Sequence, residues 1–523
     1  MAMYYYACRL TAACSSPAPA SHRVAPPPFK QLKSVATISH QPGPSRPVEM
    51  MSMMSLASPQ DYDEATQSGG APARQEANHS DESSQSEALV YCNESLVSGR
   101  LDALVGNLVP TADCYPDRAF LFAFLLASRL FIKPHDLLGQ ISSRCQVQMQ
   151  DSHKGKEPSP HLVRLISEWS ETFPYDFRDE RVMSHVRKVA HRCVSAEEDN
   201  NTGAGEVREE ISLVLHTLLE KLTRLEQYEA FLHSIRSDSI TSNVSALSQT
   251  ETDELCGSAE CMAQQLTHIE LERLSYIGAE EFVQTFAIQT PLLDPSYKDP
   301  RITTNYEVYL EWSTRLKRLV ITDIVRHIKS KKQRVRIVEY WVDTAKECFN
   351  IGNFNSLMAI IAGLNTVPVS RLKRTWCKSE VTEQFTILDN QMSSLENYAS
   401  YKALLRAAAA RFNKDDKRLC IVIPVFTLLA KEIHNLCDQC LQKLPNGHIN
   451  FEKFWQLAKH MTEFITWKQI HCPFPKTAKV ITYLQATPVL NDEGALLASF
   501  DCEPPQTDYE KDLYEKLLAK TKS

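Results

Sequence analysis

Glycine is scarce in this chain, with 15 in 523 residues. A loop-rich β architecture is thereby disfavoured, and an apolar content of 43% points instead to helices packed around real cores. No G-x-x-x-x-G-K-[ST] loop and no G-x-S-x-G turn occurs, so neither an NTPase nor an α/β-hydrolase is supported. The charge excess is small: 64 acidic and 57 basic residues leave a formal net charge of -7. That balance gives no global attraction to nucleic acid or to an anionic membrane, and no nucleic-acid partner is expected. Long apolar runs are also missing. The best candidate, Ala119–Ile132 (AFLFAFLLASRLFI), is too short to span a bilayer and contains Arg129, so it reads as a core helix and no transmembrane segment is expected. The opening MAMYYYACRLTAACSS lacks the basic region and apolar core of a signal peptide. The 15 cysteines are scattered and odd in number, unlike a dense disulfide framework, and read as reduced thiols of a cytoplasmic protein.

A length of 523 residues allows two or three domains. Residues 1–88 are rich in Pro, Ser, Ala and Gln and carry no apolar period, so they are expected to be disordered, with a modifiable Ser/acidic end at Ser80–Glu87. A first helical unit is expected over 89–235. Asp117 can cap one of its helices, Pro134 opens the next, Leu162, Leu165, Ile166 and Trp169 recur at helical spacing, and Val207–Leu232 reads as a long amphipathic helix. Residues 236–259 read as a linker. A second, nearly all-helical unit follows over 260–505. Thr267-His268-Ile269-Glu270 has capping-box spacing, Gly352 stands where a helix ends, and Asn353 can cap the next helix. Residues 506–523 read as a charged, frayed terminal helix.

The string Asn353–Trp376, NFNSLMAIIAGLNTVPVSRLKRTW, reads by period as a buried helix, a turn and a second helix. Further on, Pro424 suits a first helical turn. Val425, Leu429, Ile433 and Leu436 make an apolar stripe, and Thr427, Lys431, His434 and Asp438 make a polar one. Periodicity alone describes that polar stripe as a solvated face.

As a whole, the string Asn353–Trp376 resembles the central block of the Ras guanine-nucleotide-exchange (RasGEF) domain. Met262–Thr267 (MAQQLT) resembles the opening motif of that domain, placed ahead of its first helix. Gly99–Leu104, Phe124–Phe131 and the later Trp169, Phe173 and Asp176-Phe177 resemble the Ras exchanger motif (REM) domain. The resemblance covers about 89–505 and is nearest to RasGEF domain-containing subfamily 1. It implies an all-α fold: a REM domain followed by a RasGEF catalytic domain with a protruding helical hairpin whose second arm starts near Asn450-Phe451. Phe124, Leu125 and Phe131 are expected in the REM core, near its brace on that hairpin.

The implied activity is release of GDP from a Ras-superfamily small GTPase of Ras or Rap type, without covalent chemistry. The implied place is the cytoplasm, with recruitment to membranes through the GTPase. GDP is held through magnesium and loop amides, and picomolar affinity is worth roughly 16 kcal/mol. A wedge in the metal site and a carboxylate at the phosphate pocket compete for those contacts. Position by position, the wedge falls on His434, commonly Leu in the family, and the carboxylate on Asp438, commonly Glu. Met358, Asn365, Tyr398 and Val425 fall in the pocket for the switch region. Arg371 and Lys373 are either further contacts or structural ion-pair partners. The departures at His434 and Asp438 keep open an alternative, a degenerate factor that docks a GTPase without emptying it. A cationic His434 would make exchange slow as pH rises past neutrality.

Two other signals complete the reading. His434, Cys437 and Cys440 form H-x2-C-x2-C, but a structural zinc site needs a fourth ligand and a knuckle turn, and Cys at i and i+3 on a helix are packing residues. No metal and no cofactor is expected, and a metal-dependent enzyme is the weaker rival. Arg326–Arg336 (RHIKSKKQRVR) is either an exposed helix junction or a patch facing an acidic surface.

Overall fold

The computed structural model describes residues 88–522 apart from 112–113, 152–159, 196–201, 237–239 and 415–419. The expectations for residues 1–87, disorder and a modifiable acidic end, lie outside the described residues. The chain divides into two compact units, one holding the residues up to Leu222 with Cys440–Lys459, the other holding Thr223–Gln439 and His460 onward.

The first unit begins with strands β1 (Leu89–Cys92) and β2 (Ser95–Gly99), paired antiparallel with a bulge at Val90/Tyr91. Helices α1 (Leu101–Leu108), α2 (Arg118–Ser128), α3 (Pro134–Asp151), α4 (Pro160–Thr172) and α5 (Glu180–Ser195) follow, then the long α6 (Thr202–Arg236), whose residues from Thr223 on belong to the second unit. Asp117 caps α2 as expected, accepting the amide of Phe120 at 2.8 Å. Helix α2 is apolar nearly all round and buried along most of its length, so Ala119–Ile132 is a core element.

Arg129 explains how a charge is tolerated there. Its guanidinium grips Asp176 at 2.8 and 3.2 Å and donates to the carbonyls of Leu125 and Leu126, while Trp169 Nε1 donates to Asp176 at 2.8 Å. The two sequence blocks around Arg129 and Asp176 thus meet in one buried, fully paired network.

The second unit opens with β3 (Ile240–Thr241) and the short α7 (Thr252–Leu255). The stretch expected as a linker carries structure of its own: Thr252 and Asp253 are buried, and Tyr340 donates to the Cys256 carbonyl. Helices α8 (Ala259–Tyr276), α9 (Ala279–Gln289), α10 (Thr304–Val325), α11 (Lys331–Ile351), α12 (Phe354–Leu364), α13 (Val367–Ser370), α14 (Ser379–Gln391) and α15 (Ala399–Lys414) build its core with α16 (Phe426–Leu441). Strand β4 (Ile449–Asn450) and the start of α17 (Phe451–Lys468) belong to the first unit; from His460 the second unit continues with the rest of α17, then α18 (Ala478–Ala486), β5 (Val489–Leu490), α19 (Asp492–Cys502) and α20 (Asp508–Lys522). Strands β3 and β5 pair in parallel.

Two sequence readings are corrected here. Thr267 and Glu270 form no capping box: the cap of α8 is Ser258, accepting from Cys261, and the Gln-Leu-Thr motif lies inside that helix rather than before it. Thr267 donates to Ala263 one turn back, and Gln265 clamps Pro475 and Thr477. Helix α20 is not frayed: Glu510 pairs with Arg371, Tyr514 donates to Asp501, and Leu517 is buried. The basic run 326–336 is the junction of α10 and α11, with Arg326, Arg334 and Arg336 engaged by Ser248, Thr250, Thr375 and Asp253. No disulfide joins the described cysteines. No described helix is long and apolar enough to cross a membrane.

Candidate functional site

The segment Gly352–Asn355 sets the entry of α16. Gly352 ends α11 at φ 92, in the left-handed region, and a Cβ there would meet the Ile421 carbonyl at 2.3 Å. That close approach lets Ile423 donate to Gly352 O and accept from Phe354 N, both at 3.0 Å. Asn353 caps α12 through Ser356 at 3.0 Å, as expected. Asn355 accepts the Phe426 amide at 3.2 Å, and Tyr401 Oη accepts the Val425 amide at 2.8 Å. Because residues 421–423 are held as extended chain, Pro424 precedes the helix instead of sitting in its first turn, and α16 begins at Phe426.

Beneath this entry lies an acid that the sequence reading took for a cap. Glu270 is fully buried and accepts from Tyr309, Trp312, Asn355 and Ser356. Burial holds its carboxyl above the usual carboxylate range, although the four bonds oppose that shift. Its visible signal was an isolated acid between Ile269 and Leu271, but its partners lie far away in the chain.

Met358 and Tyr398 are half-buried against the same core cluster that contains Val425. Asn365 ends α12 exposed, with Nδ2 donating to Asp389 at 2.7 Å. Apolar side chains stand in solvent on neighbouring segments, Val367 at 62% and Leu395 at 75% exposure. Glu396, Asn397 and Tyr398 all have positive φ, from 48° to 60°, a strained run of about 1–2 kcal/mol per residue that presents Tyr398. Val425 is only 2% exposed, so it shapes the surface from below rather than offering itself. Arg371 is committed elsewhere: it pairs with Glu510, donates to Ser499 and Glu503, and lies over the Phe500 ring. Of the two readings open for Arg371, the structural one describes its contacts. Lys373 is exposed and donates only to its neighbour Ser370.

His434 and Asp438 lie one turn apart on α16, about 6 Å along its axis. Both are half-buried. The His434 ring stacks on Tyr306 at 6.3 Å between centroids and lies 5.8 Å from Phe286; its Nε2 is buried with no hydrogen-bond partner. Burial lowers its basicity, against a hydrogen bond to the Phe282 carbonyl. The neutral imidazole is therefore the form this site favours at neutral pH, which argues against a cationic wedge. Below it, burial raises the Glu281 carboxyl to about 8, although it accepts the amides of Gly278 and Tyr306. Cys437 and Cys440 are fully buried packing residues, and no three His, Cys, Asp or Glu side chains converge on a metal position among the described residues.

The far end of α16 turns at Gly447, φ 80, with Leu444 donating to His448. In the first unit this turn is stitched to β2, Ser98 opposite Asn450 and Gly99 opposite Ile449. Phe120 stacks on Phe451 at 5.2 Å, and Phe124 and Phe131 lie 6.5 and 6.0 Å from Phe454. Trp455 donates to the Leu96 carbonyl. Phe124 and Leu125 are core residues, and Phe131 is half-buried beside them.

Comparison with known proteins decides the family. The RasGEF domain signature matches residues 261–455, and the RasGEF N-terminal motif, which corresponds to the REM domain, matches 95–189. Ras-GEF domain-containing family member 1B of Mus musculus is 45% identical over 444 residues, covering 82% of this chain and 92% of that protein. The chain belongs to the Ras-GEF domain-containing family. The Homo sapiens member 1B is likewise 45% identical, with the same coverage, and Homo sapiens member 1C is 43% identical over 430 residues, covering 80% and 90%. The N-terminal motif of this RasGEF protein contains the Arg129–Asp176 network, and its RasGEF domain contains the Asn355–Phe426 anchor and the α16 site. It is a Ras-family nucleotide-exchange factor.

Proposed function

We propose that this exchange factor empties a Ras- or Rap-type GTPase by inserting the hairpin formed by α16 and α17. In this reading residues 89–235 act as the REM domain and 260–505 as the catalytic domain. Met358, Asn365 and Tyr398, with Val425 beneath them, hold the switch region. His434 wedges at the magnesium site, and Asp438 competes at the phosphate pocket. The factor acts from the cytoplasm, meeting membranes through its GTPase, and makes or breaks no bond in its substrate.

The observation that supports this best is the anchoring of α16: four backbone groups of 423–426 are tied to Gly352, Phe354, Asn355 and Tyr401. A helix fixed so firmly at its start can transmit force at its polar face. Linkage requires that a factor binding the empty GTPase tightly weakens nucleotide by the same factor. The test is gel filtration of the full chain with nucleotide-free Ras and Rap. A stable complex that GTP dissolves supports the reading; a complex indifferent to GTP rejects it.

The enclosure of His434 by Phe286 and Tyr306 favours one second reading, a docking factor with little exchange activity. Under it, the double change His434→Leu with Asp438→Glu raises exchange severalfold while leaving GTPase binding unchanged. No gain in rate would dismiss it.

A further inference from the structure

A feature of the second unit is untouched by the exchange reading. A cavity of about 450 Å³ is lined by the end of α6, by α8 and α10, and by the α18–β5 segment. Its lining includes the apolar side chains of Leu232, Ile235 and Val308. It also includes Arg273, Arg315 and Arg318, against one lining acid, Glu311. This size suits a small organic ligand.

Arg273 is the unusual group. It is 7% exposed, its Nε is buried with no hydrogen-bond partner, and its guanidinium rests over the Trp312 ring, 5.1 Å from the centroid. Burial weakens its charged form, and Tyr228, Glu270 and Glu272 oppose that, but the oxygens of Glu270 are taken by Tyr309, Trp312, Asn355 and Ser356. Arg315 is half-buried beside it and donates to the carbonyls of Leu484 and Thr487. Burial first, and then the charge of Arg273, bring Arg315 down to about 10. Both guanidinium-bearing side chains line the same cavity. A buried guanidinium whose Nε lacks a hydrogen-bond acceptor is unfavourable, and an anion placed near two guanidinium groups relieves both. Guanidinium forks also match carboxylate and phosphate oxygens.

We propose that this cavity binds an amphiphilic anion, a carboxylate or phosphate monoester on a short apolar chain. The head sits between Arg273 and Arg315, and the chain lies along Leu232, Ile235 and Val308. Two sources share that chemistry: a free metabolite and the headgroup of a membrane lipid.

The test is calorimetric titration of the full chain with hexyl phosphate, with hexanol and inorganic phosphate as half-ligands. One hexyl phosphate is expected per chain, at least tenfold tighter than either half-ligand and weakened at least tenfold by Arg273→Met. Leu310→Trp, which fills the cavity from the α10 side without changing charge, is expected to abolish binding and decides the matter if Arg273→Met does not fold. Flotation with phosphatidylcholine vesicles, with and without phosphatidic acid, separates the sources. Binding in solution assigns a free ligand; capture by phosphatidic acid alone, lost in either variant, assigns a headgroup. Absence of both, or binding unaffected by the variants, overturns the site.

Discussion

Asn355 accepts the backbone amide of Phe426 at 3.2 Å while its own amide donates to Glu270 at 3.1 Å. One side chain thus ties the buried acid of α8 to the first residue of α16. The relationship joins three segments that are distant in the chain. It makes Asn355→Ala informative, because the change leaves the Phe426 amide and part of Glu270 without partners. The expected loss is about 1–3 kcal/mol in urea unfolding, with slower GDP release at temperatures where the protein is folded. Unchanged stability would contradict the anchor.

Gly352→Ala tests the same entry from the other side. The new Cβ meets the Ile421 carbonyl, and φ 92 is strained for any residue with a side chain. A loss above about 1 kcal/mol is expected, against the gain that alanine gives at an unstrained glycine. A more stable variant would contradict the close approach.

In the first unit, Asp176→Ala strands the Arg129 guanidinium and the Trp169 indole in an apolar core. The expected cost is about 3–5 kcal/mol by thermal or urea unfolding. An effect below about 1 kcal/mol would show that the network does not hold this unit.

His434 gives a pH prediction with a definite sign. Burial holds its folded-state pKa below the usual imidazole range. The unfolded chain therefore takes up a proton near pH 6.5, at about the ordinary value, before the folded site does. The contribution of His434 to stability is full above that pH and is lost as pH falls through the folded-state pKa. Unfolding measured across about pH 5 to 8 should show this loss in the wild type and not in His434→Leu, and exchange should be flat above pH 7. A fall in rate above pH 7 that depends on His434 would restore the cationic wedge.

Sequence reading succeeded where the physics is local. The caps at Asp117 and Asn353 and the glycine at 352 act within a few residues, and residue type and position suffice to find them. It failed at Thr267 and Glu270 because the same four-residue spacing recurs inside helices, while the partners of Glu270 lie 39, 42, 85 and 86 residues away. Pro424 was misplaced for a similar reason: pairing of 421–423 with Gly352 and Phe354 overrides its local preference. The family resemblance located α16 and its polar face, yet the aromatic enclosure of His434 comes from Phe286 and Tyr306 on other helices. No local pattern announces it.

The most direct measurement is release of a fluorescent GDP analogue from Ras, Rap, Ral and Rho GTPases by the full chain and by Asn365→Ala. Asn365 is exposed and its side chain bonds only Asp389, so its loss should change stability by no more than about 0.5 kcal/mol. The proposed function predicts faster release from a Ras or Rap member, abolished in the variant at unchanged stability. Release no faster than the intrinsic rate on every GTPase, or acceleration that survives Asn365→Ala, would contradict it.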